Sequence, residues 1–179
     1  SDEDINFTYS LSASDVDGEA VSFTASVDGN GSASVEGSDL TITPGSDFNG
    51  EITVTVSALD GSGGVDSEDF ELNILPVNDA PVLSAIGSQS VAEDAGFNYT
   101  LSGSDIDGDE LSFSASVDGN AEVSVDGDQL TITPAQDFNG SISVTATASD
   151  GQLEGSSEFT LSVTPVNDAP VLSVIDSQS

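Results

Sequence analysis

The sequence predicts an all-β chain made of two tandem seven-stranded Greek-key β-sandwiches joined end to end. Three observations carry this. Apolar residues alternate with polar ones in short runs and nowhere recur at helical spacing, which is the signature of strands with one buried face. The runs are bounded by Asp-Gly, Gly-Asn, Asn-Gly or Pro, residues that turn a chain or stop a strand. The whole pattern also occurs twice: residues 3–64 align with residues 93–154, and more than half of the pairs are identical, so the chain holds copies of one module.

The elements follow in order in the second copy. The stretch Val82 to Val91 supplies a first strand, and Phe97, Tyr99 and Leu101 a second. Leu111, Phe113, Ala115 and Val117 mark a third, Val123 and Val125 a fourth, Leu130 and Ile132 a fifth. Ile142, Val144, Ala146 and Ala148 give a sixth, and Phe159, Leu161 and Val163 the seventh. Seven short strands in about 90 residues, with turn signals between them, fit a two-sheet sandwich of the immunoglobulin or cadherin type. Asp28-Gly29, Glu36-Gly37, Asp118-Gly119 and Asp126-Gly127 are expected to be hairpin turns without further function.

The segment Pro76 to Pro81 recurs as Pro165 to Pro170, and Val82 to Ser90 recurs as Val171 to Ser179. The expected division is therefore 1–79 as a first repeat lacking its first strand, 80–168 as a second, and 169–179 as the first strand of a following repeat. Copies cut at this phase are expected to be an excerpt from a longer array. The strand 171–179 is expected to complement the first module of a neighbouring unit, or to continue into it covalently.

Charge limits the chemistry. The 179 residues include 33 Asp and Glu and no Lys, Arg, His, Cys, Met or Trp, for a formal charge of −33. No Ser-His-Asp triad, thiol nucleophile, Schiff base or Cys/His zinc site can be built from such a chain. Nucleic acid is not expected as a partner, because binding it requires basic side chains to displace phosphate counterions. No apolar run is long enough to insert into a membrane. Folding this many carboxylates together costs self-repulsion, and the relief has to come from cations. Calcium fits, since it takes roughly 6 to 8 oxygen ligands from carboxylates, amides and carbonyls, and an extracellular or cell-surface setting would supply it.

Strand parity places the acids. With the first strand descending, Glu93 and Asp94, Asp137 and Asn139, and Asn167 and Asp168 all fall at the bottom of the second module. Asp105, Asp107 and Asp150 fall at its top. In the first module the same parity puts Glu3, Asp4, Asp47, Asn49, Asn78 and Asp79 at the bottom, with Asp15, Asp17 and Asp60 at the top. The bottom of one module is thus expected to meet the top of the next in an acidic junction that needs cations between its carboxylates.

Several motifs occur twice in the same order: Leu-Thr-Ile-Thr-Pro with Asp-Phe-Asn-Gly at 40 to 50 and 130 to 140, Asp-x-Asp-Gly at 15 and 105, Ala-x-Asp-Gly at 58 and 148, and Val-Asn-Asp-Ala-Pro at 77 to 81 and 166 to 170. In these the chain resembles cadherin repeats, and more closely the cadherin-like tandem repeats of large bacterial RTX-type surface adhesins. The resemblance implies Ca2+ at a junction built from Glu3, Asp47, Asn78, Asp79, the carbonyl of Ala80, Asp105, Asp107 and Asp150. It implies that Asp15, Asp17 and Asp60 face a preceding module, and that Glu93, Asp137, Asn167 and Asp168 face a following one. Pro76 and Asn49 stand where cadherins carry acids, so one or two ions per junction are expected, fewer than cadherins hold.

The function expected from this is a non-enzymatic extender module of a long extracellular adhesin or filament, stiffened by calcium, whose partners are neighbouring repeats. The alternative is an adhesive module binding cell-surface polysaccharide or other copies of itself, although the few aromatics sit mostly at core positions. An EF-hand at Asp105 to Asp109 is rejected, because glycine comes at the fourth position and no helices flank it. Solvated acidic turns of a salt-adapted protein and a carboxylate-pair glycosidase are weaker readings, and the Asn-x-Ser/Thr sequons such as Asn98-Tyr99-Thr100 are explained by chance in a Ser/Thr-rich chain.

Overall fold

A computed structural model describes residues 1–173, which form two compact units divided between Val77 and Asn78. In the first unit β1 (Phe7–Ser10), β4 (Asp39–Pro44) and β3 (Gly31–Glu36) form one sheet in that order, and β2 (Ser22–Val27), β5 (Gly50–Leu59) and β6 (Val65–Ile74) form the other. Neighbouring strands are antiparallel throughout. The second unit adds a first strand in two pieces, β7 (Val82–Leu83) and β8 (Gln89–Ala92), and repeats the rest. It continues with β9 (Phe97–Thr100), β10 (Gly103–Ser104), β11 (Ser112–Val117), β12 (Ala121–Asp126), β13 (Gln129–Pro134), β14 (Gly140–Ser149) and β15 (Glu154–Thr164). Its sheets run β12-β13-β9 and β11-β14-β15-β8, with β7 paired to β10.

The predicted all-β tandem sandwich is what forms, because each alternating run keeps one face inward. In β13 Leu130 and Ile132 are fully buried while Thr133 between Ile132 and Pro134 is exposed. β14 buries Ile142, Val144, Ala146 and Ala148 on one face. Each full burial of a Leu or Ile side chain is worth about 1.5–3 kcal/mol, and the inward residues of both sheets make one core per unit.

The first strand of unit 2 differs from a simple alternation. It switches sheets: β7 lies antiparallel to β10, and β8 lies parallel to β15. Its buried residues are Leu83 and Ile86, three apart, because the chain rotates as it crosses. The tail of the chain, expected as a first strand over 169–179, is without strand structure through Ser173, and residues 174–179 lie outside the described residues.

Two of the four expected hairpin turns are hairpins. Glu36 pairs with Asp39 and Asp126 with Gln129 across two-residue turns, each with glycine in the left-handed region, φ +64 at Gly37 and φ +60 at Gly127. The other two, Asp28-Gly29 and Asp118-Gly119, connect strands in opposite sheets. There the carboxylate takes over part of the pairing: Asp28 Oδ1 accepts the Thr53 amide at 3.1 Å, and Asp118 Oδ1 the Ser143 amide at 3.0 Å.

Candidate metal centres

The acids gather at the two ends of each unit, where the turns are. At the lower end of unit 2, Asp94 lies in the turn after β8 and Asp137 in the turn before β14, both in the left-handed conformation, φ 63 and φ 57. The Asp137 amide donates to Asp94 Oδ1 at 3.2 Å, which couples the two turns. Asp94, Asp137 and Asp168 bring carboxylate oxygens within 4.8 Å of one another. Glu93 is buried, 6% exposed, and is not part of that trio. It accepts the Val166 amide at 2.6 Å and Asn139 Nδ2 at 3.3 Å, tying the exit segment to this end. Asn167 Nδ2 donates to the carbonyl of Asp168.

Unit 1 repeats the arrangement. Asp4 and Asp47 are left-handed, φ 59 and φ 54, and the Asp47 amide donates to Asp4 Oδ1 at 3.2 Å. Glu3 is buried, 2% exposed, and accepts the Val77 amide. In each Glu-Asp pair the two members therefore have separate tasks, a question the sequence leaves open. Asn49 is exposed.

The upper end of unit 2 is built on carboxylates that accept backbone amides. Asp105 Oδ1 takes the amides of Asp107 and Asp109, at 3.0 and 3.3 Å. Asp150 Oδ1 takes those of Gln152 and Leu153, at 2.6 and 2.7 Å. The entry segment joins them: Asn78 Nδ2 donates to Asp150 Oδ2 at 2.8 Å, and the Asp79 amide to Asp107 Oδ2 at 2.8 Å. Gln152 Nε2 in turn donates to Asn78 Oδ1 at 2.9 Å. Ala80, expected to act through its carbonyl, follows in the same segment and is exposed. Asp105 Oδ2 is buried and, among the described residues, has no hydrogen-bond partner. The Asp150 carboxyl is held below the usual carboxylate range by the Leu153 amide first, then by Asn78 and the Gln152 amide.

At the upper end of unit 1, Asp15 Oδ1 accepts the amides of Asp17 and Glu19. Asp60, held low chiefly by the amides of Gly64 and Ser62, stands with Asp15 and Glu19 within 4.8 Å, carboxylate oxygen to carboxylate oxygen. Asp17 is outside that trio. Glu19 is a residue the sequence reading missed. The signal for it is the turn at Asp15, whose carboxylate takes the amides two and four residues on and so curls residue 19 back over the site.

The sequence and structural comparisons agree with this architecture. A family model described as a bacterial Ig domain matches residues 1–73 and again residues 78–164. No curated protein sequence matches the chain. Among solved structures, human protocadherin-24 EC1-2 aligns with 87% of this chain and 88% of its own at 14% identity, with a TM-score of 0.53. Drosophila N-cadherin EC1-3 aligns with 85% of this chain and 57% of its own at 15% identity and a TM-score of 0.43. An endo-fucoidan hydrolase of glycoside hydrolase family 107 aligns at 20% identity and a TM-score of 0.42 over 84% of this chain, which spans 24% of that enzyme. Bacterial Ig domains are typically extracellular, and no helix among the described residues is long and apolar enough to cross a membrane. The chain thus belongs to the bacterial Ig domain family, with two copies in tandem and a cadherin-like sandwich fold.

Proposed function

We propose that the chain is a calcium-binding extender module of a long extracellular adhesin or filament, in which Ca2+ at the junctions of successive repeats stiffens the array. Asp105 Oδ2 is the observation that carries this reading. A buried carboxylate oxygen without a donor is costly, and no Lys, Arg or His exists in the chain to pair with it. Asp107, Asp150 and Asn78 at the same end of unit 2 offer further oxygens, and an all-oxygen set suits a hard cation of flexible coordination. The left-handed Asp94 and Asp137 support the same reading at the other end, where three carboxylates share one small volume.

No residue here is proposed to perform chemistry on a substrate. The module's contribution is length and stiffness, with recognition left to other parts of the parent protein. Titration calorimetry with calcium, paired with melting curves in calcium and in chelator, tests the proposal. Binding heat and a higher melting temperature in calcium are expected. Identical curves and no heat would sink it.

A further inference from the structure

The two units are internal controls for one another. In unit 2 the first strand lies along β10 and β15, and its Leu83 and Ile86 enter the core. That core is closed: Phe97, Leu101, Ala146, Ala148 and Phe159 are all 9% exposed or less. The matching residues of unit 1 are Phe7, Leu11, Val56, Ala58 and Phe70, and every one is only partly buried. Tyr9, above them, is 60% exposed. A recess of about 290 Å³ opens between Phe7, Tyr9 and Phe70, and another of about 260 Å³ runs from Tyr9 past Leu11 to Val56 and Asp66. Among the described residues, the free edge of β6 is met by one parallel bridge, Asp2 to Leu75.

We propose that this groove of unit 1 is a strand-accepting site and that its partner is the segment Val171–Ser179 of a second copy of the chain. Copies then join head to tail without a covalent bond. The proposal stands apart from the calcium reading, since backbone pairing and apolar burial drive it. Val171–Ser179 differs from the strand that fills the same place in unit 2 only at Val174 and Asp176. Val171 and Leu172 are 95% and 83% exposed, so these apolar side chains lack the cover that Leu83 has.

The register is already set. The Glu3 amide donates to the Leu75 carbonyl at 3.0 Å, as the Glu93 amide does to Thr164 at 2.9 Å, and the Asp2 bridge repeats the pairing of Ala92 with Thr164. Continuing upstream, the donor's Ser179 comes opposite Asn73 and its Gln178 opposite Leu72, as Ser90 and Gln89 lie opposite Ser162 and Leu161. The groove reads a strand, not a covalent connection, so a preceding repeat in a longer chain would fill it in the same register.

The two halves of the donor do not fit equally. In unit 2 a Cβ on Gly155 would stand 1.8 Å from the Pro81 carbonyl oxygen, and one on Gly103 3.0 Å from that of Val82. Unit 1 has Asp66 and Ala13 at these places. Asp66 therefore holds off Pro170 and Val171, and the grip falls on the trailing half, with Ile175 taking the place of Ile86. The exchange is accordingly reversible, and Asp66 is its weak point.

Sedimentation of the full chain over a wide concentration range, in high salt with chelator and again with calcium, tests this. Growth from monomer to dimer and longer chains is expected in both media. The chain ending at Pro170, and full-length Ile175→Asp, should remain monomeric, while Asp66→Gly should tighten association about tenfold, equivalent to about 1.4 kcal/mol. A synthetic Val171–Ser179 peptide should raise the melting temperature of the shortened chain and break up the full-length oligomers. A full chain that stays monomeric at every concentration, including one in which the tail stabilises its own unit 1, would overturn the proposal. So would association indifferent to Ile175→Asp. Loss of the calcium effect on melting alone would count only against the metal reading.

Discussion

Asp94 and Asp137 sit in a backbone conformation that glycine adopts freely and that other residues adopt at a cost, lowest for Asn and Asp. Keeping a carboxylate at both places makes sense if the carboxylate is used. Asp94→Gly separates the two roles. In chelator the variant should melt within about 1 kcal/mol of the parent, since one exposed hydrogen bond is lost and backbone strain is relieved. Its calcium affinity at that end should fall at least about tenfold, read by calorimetry. Asp150 carries a separate expectation. Its folded carboxyl titrates below the ordinary value of 3.8 because the Leu153 amide, Asn78 and the Gln152 amide favour the ionised form. A lowered folded value stabilises the fold above the unfolded value, and that stability is lost as pH falls through the folded one. Carboxyl carbon shifts followed by NMR should place the midpoints of Asp150 and Asp60 below 3.8, and Asn78→Ala should raise that of Asp150 alone. Midpoints at or above 3.8 would contradict the hydrogen-bond account. These details escape the sequence because Asp-Gly reads as a turn wherever it occurs. Asp118 is indistinguishable by its neighbours from Asp126, yet one prolongs the pairing of β11 with β14 where the chain crosses to the other sheet and the other closes a hairpin.

At the scale of the element, the strands were legible because alternation and buried face are the same fact. Leu111 to Val117 and Ile142 to Ala148 were readable residue by residue. Parity also places the acids of the turns at the ends of their units, since strands that alternate in direction leave no freedom in where successive turns fall; Asn78 and Asp79, expected at the bottom of the first module, lie instead in the second unit beside Asp150 and Asp107. The first strand was the exception. Its crossing between sheets breaks the period of two, and Leu83 and Ile86 look like noise unless the partners β10 and β15 are known. Gly155 is where that crossing is tightest. Gly155→Ala should put a methyl into the Pro81 carbonyl, with 1.8 Å available. Overpacking of this kind costs about 1–3 kcal/mol, so thermal unfolding of unit 2 should come earlier while that of unit 1 stays. The equivalent substitution at Gly87, with open space around it, should be tolerated.

For the molecule as a whole, charge decides the conditions under which the fold is seen. A chain of −33 with no basic side chain repels itself, and monovalent salt screens that repulsion over about 10 Å at 0.1 M. Melting temperature should therefore rise with sodium chloride even in chelator, and calcium should add a further increment at concentrations too low to screen. A response to salt with no extra response to calcium would reduce the acidic ends to solvated turns. Composition alone pointed to cations, but only the hydrogen bonds separate acids that brace the backbone, such as Glu93 and Asp118, from those left facing outward. The parallel pairing of β8 with β15 has a mechanical meaning as well. Tension on the two ends of unit 2 pulls these neighbours in opposite directions, so four residue pairs, Gln89–Leu161 to Ala92–Thr164, bear the load together instead of peeling apart in turn. Unit 1 has a single such pair, Asp2 with Leu75. Stretched by an optical or force-microscope tether, the first unit should yield at the lower force, and a strand seated on β6 should bring its resistance up towards that of the second.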